Sequence, residues 1–360
     1  MSDLCKLCQT NKLENVGSHI FTESIIRTAL NEEGFTKRED KELIYEISTE
    51  KIGLDYFGNG VLPEKLQEIL GKKVSEKDID KNKNPFINRE LVCRSCEKKF
   101  GPIETSFVQN IYAKILKKKD DELESDSCNY VSFANQKLLG IQFAIINIWR
   151  ASASNYDNWK LEDEDEIYLR QFILKTAASD IQTIIENTLE NIKEIERFDF
   201  ALNYFISSGE QLSDNGVLID NSEDPYFILL NRLSIIFNFK KLDSNNMPDL
   251  TKGTIDSNIG CIISSNLDKE LRIGINSDEE RKKLFNKIAL KQLDQIRERI
   301  TDTFFQIHKT LFGFLPSQEA INYFNQMLIE YIKSKDGVIV MSEMLNVVTN
   351  VIKDCGRSYR

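Results

Sequence analysis

Two cysteine pairs constrain this chain more than any other feature. Cys5-x-x-Cys8 opens it, and Cys93-x-x-Cys96 follows after 84 intervening residues. A CxxC turn aims two thiolates at one point, and four thiolates suit a tetrahedral zinc ion. Such a site clamps two chain-distant knuckles together and hangs the intervening residues from them as an insertion. Cys128, Cys261 and Cys355 lack this spacing and read as packing residues.

The chain of 360 residues is long enough for a sizeable core. Its start has no basic stretch followed by an apolar one, so no signal peptide is expected. The longest apolar run, Leu138 to Trp149, is little more than half a membrane span and reads as a buried helix. These features predict a cytoplasmic protein with no membrane contact, whose cysteines are thiols or metal ligands rather than disulfides. The net charge of −10 argues against a general nucleic-acid coat protein. Residues 1–120 carry 21 Lys+Arg and 20 Asp+Glu, and the remaining 240 carry 26 and 37. Any phosphate contact is therefore expected from the first third, or from a partner chain.

Composition along the chain predicts an N-terminal module over 1–120, a charged linker over 121–135 and a larger C-terminal domain over 136–360. The module is expected to hold a strand near Leu43–Thr49, a short helix in "LPEKLQEILG" and a polar loop over Lys72–Pro85. Beyond the linker, helices are predicted over Gln136–Ser152 and, by 3.6-residue periodicity, Asp163–Ile195. Short β-branched and aromatic runs ("FDFALNYFI", "YFILLNRLSIIFNF", "GCIISS", "ELRIGI") read as strands. From Asp278 the pattern is helical, broken at Pro316, with final helices near Ser317–Lys333 and Val338–Asp354. The fold class is thus α+β, with a small zinc-bound module and a mostly helical α/β C-terminal domain. His308 lies on an apolar helix and is expected in the core. No phosphate-cradling glycine loop occurs.

His19 is the other of only two histidines. If zinc joins the knuckles, the turn at Gly17 and the extended piece after it start beside the metal. The segment after Cys96 is predicted helical from about Pro102, or from Glu97. A helix that includes both Glu97 and Glu104, seven residues apart, carries them on one face. The module is then a hairpin bearing His19, packed on a helix bearing carboxylates, with structural zinc behind.

These residues resemble the HNH (ββα-metal) nucleases in the variant braced by two CxxC pairs. The match consists of Cys5-x-x-Cys8, Ser18-His19-Ile20, Asn88, Cys93-x-x-Cys96 and Glu97. "LVCRSCEKKFGPIE" is similar to a bacterial subgroup with SHI and LCRxCE motifs, and "WRASAS" from Trp149 extends the likeness. It covers residues 1–110 well and 140–175 loosely. The resemblance implies a ββα-metal, treble-clef-like module that hydrolyses DNA phosphodiester bonds. It makes His19 the general base and Asn88 the residue that orients the loop or the imidazole. A catalytic Mg²⁺ or Mn²⁺ would sit on Glu97, Glu104 and Ser18, apart from the zinc. Arg94, Lys98 and Lys99 would meet phosphates. Most of the family carries a carboxylate where this chain has Ser18. Bacterial proteins of this kind are often anti-phage effectors, which implies a protein partner or a second copy of the chain bound through the C-terminal domain. The alternative is a non-catalytic, zinc-stabilised accessory subunit docked on a guided, Argonaute-like partner.

Overall fold

The computed structural model describes residues 4–14, 17–28, 43–47, 51–56, 86–118, 130–197, 199–206, 216–220, 226–239, 262–263, 269–335 and 339–358. The expected helix in "LPEKLQEILG", the polar loop up to Pro85 and residues 119–129 lie outside them. The fold is mixed α+β. It divides into two compact units, one of Met1–Ile44 with Asp55–Leu284, the other of Tyr45–Leu54 with Phe285–Arg360.

The first unit begins with strand β1 (Ser18–His19) and helix α1 (Glu23–Thr28). Next along the chain come strands β2 (Leu43–Ile47) and β3 (Lys51–Tyr56), most of whose residues belong to the second unit. Then come strand β4 (Ile87–Asn88) and helix α2 (Arg94–Phe107). α2 runs on through a π-helical turn, Val108–Tyr112, to a last turn at Ala113–Leu116. It starts at the second cysteine knuckle and holds Pro102 inside it, so it is longer than the proline suggests. Gly101 removes one of the obstacles. The clash that drives the residue before a proline out of helical geometry involves its Cβ, and glycine has none.

Strand β5 (Tyr130–Phe133) occupies the end of the stretch expected as linker. Helix α3 (Lys137–Ser154) follows, with 16 of its 18 residues buried. A helix apolar on nearly every side belongs in the middle of a core. Its Phe143 stacks on Phe107 of α2, centroids 3.7 Å apart, and its Trp149 lies 6.2 Å from Phe100. Gly140 leaves room for Leu271; a Cβ there would stand 2.8 Å from the leucine Cδ1.

The expected single helix over Asp163–Ile195 is two helices, α4 (Asp163–Thr176) and α5 (Ile181–Glu190), then a 3₁₀ stretch over Ile192–Arg197. Extended backbone at Ala177 ends α4, and Asp180 starts α5 by accepting a bond from the Thr183 N–H at 2.9 Å. Apolar periodicity carries through such a break because the local cap, not the stripe, decides it.

The strands are β6 (Asp199–Phe205), β7 (Gly216–Asp220), β8 (Tyr226–Leu230), β9 (Leu233–Asn238), β10 (Ile262–Ile263) and β11 (Leu271–Asn276). They run in the order β7-β8-β9-β6-β11-β5, with β10 beside β6. Only β6–β11 among these pairs is parallel. The run "YFILLNRLSIIFNF" is a hairpin, turned at Asn231 with a left-handed φ of 57°. Alternate residues Phe200, Leu202 and Tyr204 join the core that α3 enters.

The second unit takes most of helix α6 (Asp278–Phe312), then α7 (Gln318–Lys333), strand β12 (Ile339–Val340) and α8 (Met341–Ser358). β12 pairs antiparallel with β3, Ile339 opposite Ile52. Phe304 stacks on Phe324 at 4.4 Å, and His308 is fully buried, as expected.

Candidate functional site

The first knuckle is a short hairpin. The Gln9 N–H donates to the Cys5 carbonyl, the Cys5 N–H to the Asn11 carbonyl, both at 2.9 Å, and Gln9 takes the left-handed turn. The second knuckle is the first turn of α2, where the N–H groups of Cys96 and Glu97 both point at the Cys93 carbonyl at 3.0 Å. One backbone bond, Lys6 N–H to the Leu91 carbonyl at 3.0 Å, aligns the knuckles. Lys6 Nζ on the Ala153 carbonyl and Arg170 Nη1 on the Leu7 carbonyl tie the first knuckle to α3 and α4.

The Sγ atoms of Cys5, Cys8, Cys93 and Cys96 lie within 4.8 Å of one another, and all four are free thiols. Cys8 and Cys93 are 4.0 Å apart. Tetrahedral zinc with bonds of about 2.3 Å needs sulfurs about 3.8 Å apart, so the donors fit. The thiols also act on one another. The Cys5 thiol is held down to about 4, chiefly by hydrogen bonding with Cys96, while the same contact and burial push Cys96 far up. The Cys8 thiol is lowered too, against its burial, through hydrogen bonds from Thr10 and Asn11. Asn11 Nδ2 donates to Cys93 Sγ at 3.5 Å and to Ser95 Oγ at 3.1 Å, an outer shell that orients the ligand.

β1 and β4 lie in front of this centre. Ser18 pairs with Asn88 and His19 with Ile87, and the Ile20 N–H donates to the Phe86 carbonyl at 2.8 Å. Strand alternation sends neighbours to opposite faces. Ser18 points inward, fully buried, and donates to Glu97 Oε2 at 2.5 Å. His19 is part-exposed, with Nε2 3.2 Å from Glu23 Oε2. Burial raises the Glu97 carboxyl above the usual range, against the pull of Arg150 and the Ser18 hydrogen bond. Asn88 Oδ1 accepts from the Glu90 N–H at 2.8 Å and shapes the turn into the second knuckle. Arg94 is exposed and pairs with Glu14 at 3.6 Å; Lys98 is exposed and Lys99 half-buried.

Glu104 sits on α2 as predicted, but its Oε1 accepts from Thr22 Oγ1 at 2.9 Å and from Arg150 Nη2 at 2.6 Å. Arg150 is fully buried. Among the described residues, the four cysteines are the only group of three or more His, Cys, Asp or Glu arranged to hold a metal ion.

Sequence reasoning missed Glu23, Thr22 and Asn147. Glu23 had a signal, a carboxylate four residues after His19. Asn147 and Arg150 had another, two polar residues one helical turn apart among the apolar neighbours Ile145, Ile146, Ile148 and Trp149. Comparison with family models, curated proteins and solved structures finds no match to this chain. No helix among the described residues is long and apolar enough to cross a membrane.

Proposed function

We propose that this chain is a zinc-braced, HNH-type (ββα-metal) endonuclease that hydrolyses DNA phosphodiester bonds. One observation carries the reading. Ser18 meets Glu97 at 2.5 Å, on the helix that the cysteine knuckle starts, and His19 is the next residue on the strand. A candidate base and a candidate cation ligand are thereby held on two rigid elements braced by the four-cysteine centre.

In this reading His19 takes a proton from the attacking water, for which imidazole basicity near neutrality is suited. The Glu23 carboxylate, 3.2 Å from Nε2, fixes the ring and stabilises the imidazolium once formed. Mg²⁺ or Mn²⁺, held by Glu97 and Ser18, supplies positive charge at the scissile phosphate when bound. Asn88 keeps β4 in register with β1, and Arg94, Lys98 and Lys99 offer charge to the DNA backbone. A chain of net charge −10 gains little from its own field on DNA, so we place it with a partner protein or a second copy of itself, as a cytoplasmic anti-phage effector.

Plasmid cleavage with Mg²⁺ or Mn²⁺ tests the assignment. His19→Ala should lose about 10²- to 10⁴-fold, the range for a removed general base. Equal cleavage by wild type and His19→Ala refutes it. The commitment of Glu104 to Arg150 favours a second reading, because it leaves the cation one carboxylate. The chain is then a non-catalytic accessory subunit on a guided, Argonaute-like partner, and wild type does not cleave even beside that partner.

A further inference from the structure

We infer that Arg150, Asn147 and Glu104 are positioning residues that seat Thr22 and, through it, the His19–Glu23 pair; the catalytic consequence rests on the nuclease reading, while the seating does not. Three residues separate His19 from Glu23. Ile20 and Phe21 are buried and apolar, and Thr22 is polar yet only 1% exposed. Its carbonyl accepts from the Ile25 N–H at 3.1 Å in the first turn of α1, the helix that carries Glu23. Its own donors both turn away from that helix. The Thr22 N–H donates to Asn147 Oδ1 at 3.1 Å, and Oγ1 donates to Glu104 Oε1 at 2.9 Å.

Each acceptor is itself held. Asn147 Nδ2 donates to the Phe143 carbonyl at 2.8 Å, which fixes the amide so that Oδ1 faces Thr22. Arg150 Nη2 donates to the same Glu104 oxygen at 2.6 Å and lies 3.4 Å from Asn147 Oδ1. Its Nε meets the Ile146 carbonyl at 3.3 Å, and its guanidinium covers the Phe100 ring at 5.1 Å. Two helices, α2 and α3, therefore converge through polar contacts on one buried residue of the histidine segment. Arg150 and Asn147 are wholly buried, so neither touches a nucleic acid. Polar groups placed this deep act on what they hold, and the segment held carries the imidazole and its carboxylate. A displacement of about 1 Å at such a group costs up to about 100-fold in rate.

The test uses the full chain. With only His19 and His308 present, the imidazole NMR spectrum of histidine-labelled protein holds two rings, one an internal control. Thr22→Val removes the hydroxyl donor and keeps the shape; Thr22→Ser keeps the donor. In Thr22→Val with zinc bound, the His19 ring signals should move while those of His308 stay, and Thr22→Ser should restore them. DNA cleavage should fall about 10- to 100-fold in kcat with KM unchanged. Zinc-loaded Thr22→Val with His19 signals superimposable on wild type overturns the inference. If Thr22→Val fails to hold zinc, Arg150→Lys, which keeps the charge and loses the forked geometry, is read by the same criterion. If wild type does not cleave DNA yet the His19 signals move, the nuclease reading falls and the seating stands.

Discussion

Removing the metal should loosen the first unit by an amount that the loop length sets. A metal held by the four cysteines would join Cys8 to Cys93 across 84 residues and close that loop as a covalent link would. On the loop-closure formula, opening a loop of this size returns about 4.5 kcal/mol of conformational freedom to the unfolded chain. That is a large part of the roughly 5–15 kcal/mol by which domains are stable. The protein carries its own reporter. Trp149 is fully buried, 6.2 Å from Phe100 on the helix that begins at the clamp, and Trp159 is the only other tryptophan. Urea unfolding followed by tryptophan fluorescence should shift to lower denaturant after chelation, by about 1.5 M at a slope near 3 kcal/mol/M. Added zinc should reverse the shift. Protein purified without chelator should carry one equivalent of zinc by elemental analysis. Less than about half an equivalent, or an unchanged midpoint after complete removal, refutes a clamp of this kind.

Three further outcomes follow from the packing. The folded state raises the Glu97 carboxyl, so its contribution to stability is full below the ordinary carboxylate range and is lost as pH rises through the raised value. Glu97→Gln should therefore melt higher than wild type at pH 8, with a gain that shrinks toward pH 5; a gain that grows on acidification contradicts the burial. Gln142 spans Thr176 and Thr188 at 3.0 and 2.7 Å in the core, and Gln142→Leu should cost about 1–3 kcal/mol in denaturant unfolding. Gly140→Ala drives a methyl against Leu271 and should cost about 1–3 kcal/mol; a neutral result would show that α3 lies farther from β11 than described.

What could be read from the sequence tracks how local the cause is. The four-cysteine cluster was legible because CxxC geometry is set within four residues and repeats. Ser18 and His19 were legible as strand neighbours, and the run of Leu138 to Trp149 as a buried helix, for the same reason. Glu97 and Glu104 looked equivalent, two turns apart on one helix face. Only the fold separates them, by putting Ser18 against one and Arg150, 46 residues downstream, against the other. Pro102 misled because α2 carries it in its interior, where the glycine before it removes only the clash with a preceding Cβ. The break before α5 was hidden because Ala177 and Asp180 interrupt the backbone without interrupting the apolar stripe.

The pairing of β3 with β12 bears on how the chain is made. Ile52 is synthesised 287 residues before its partner Ile339. At about 5–20 residues per second, roughly a quarter of a minute to a minute separates them. For that interval β3 is an unpaired edge, the kind of surface that recruits other strands. Cys96 emerges long before β12, so a metal bound by the four cysteines would be captured before the second unit is complete. A fragment cut at Phe285 would begin life without the strand it closes on, and is predicted to aggregate rather than to fold as a detachable tail.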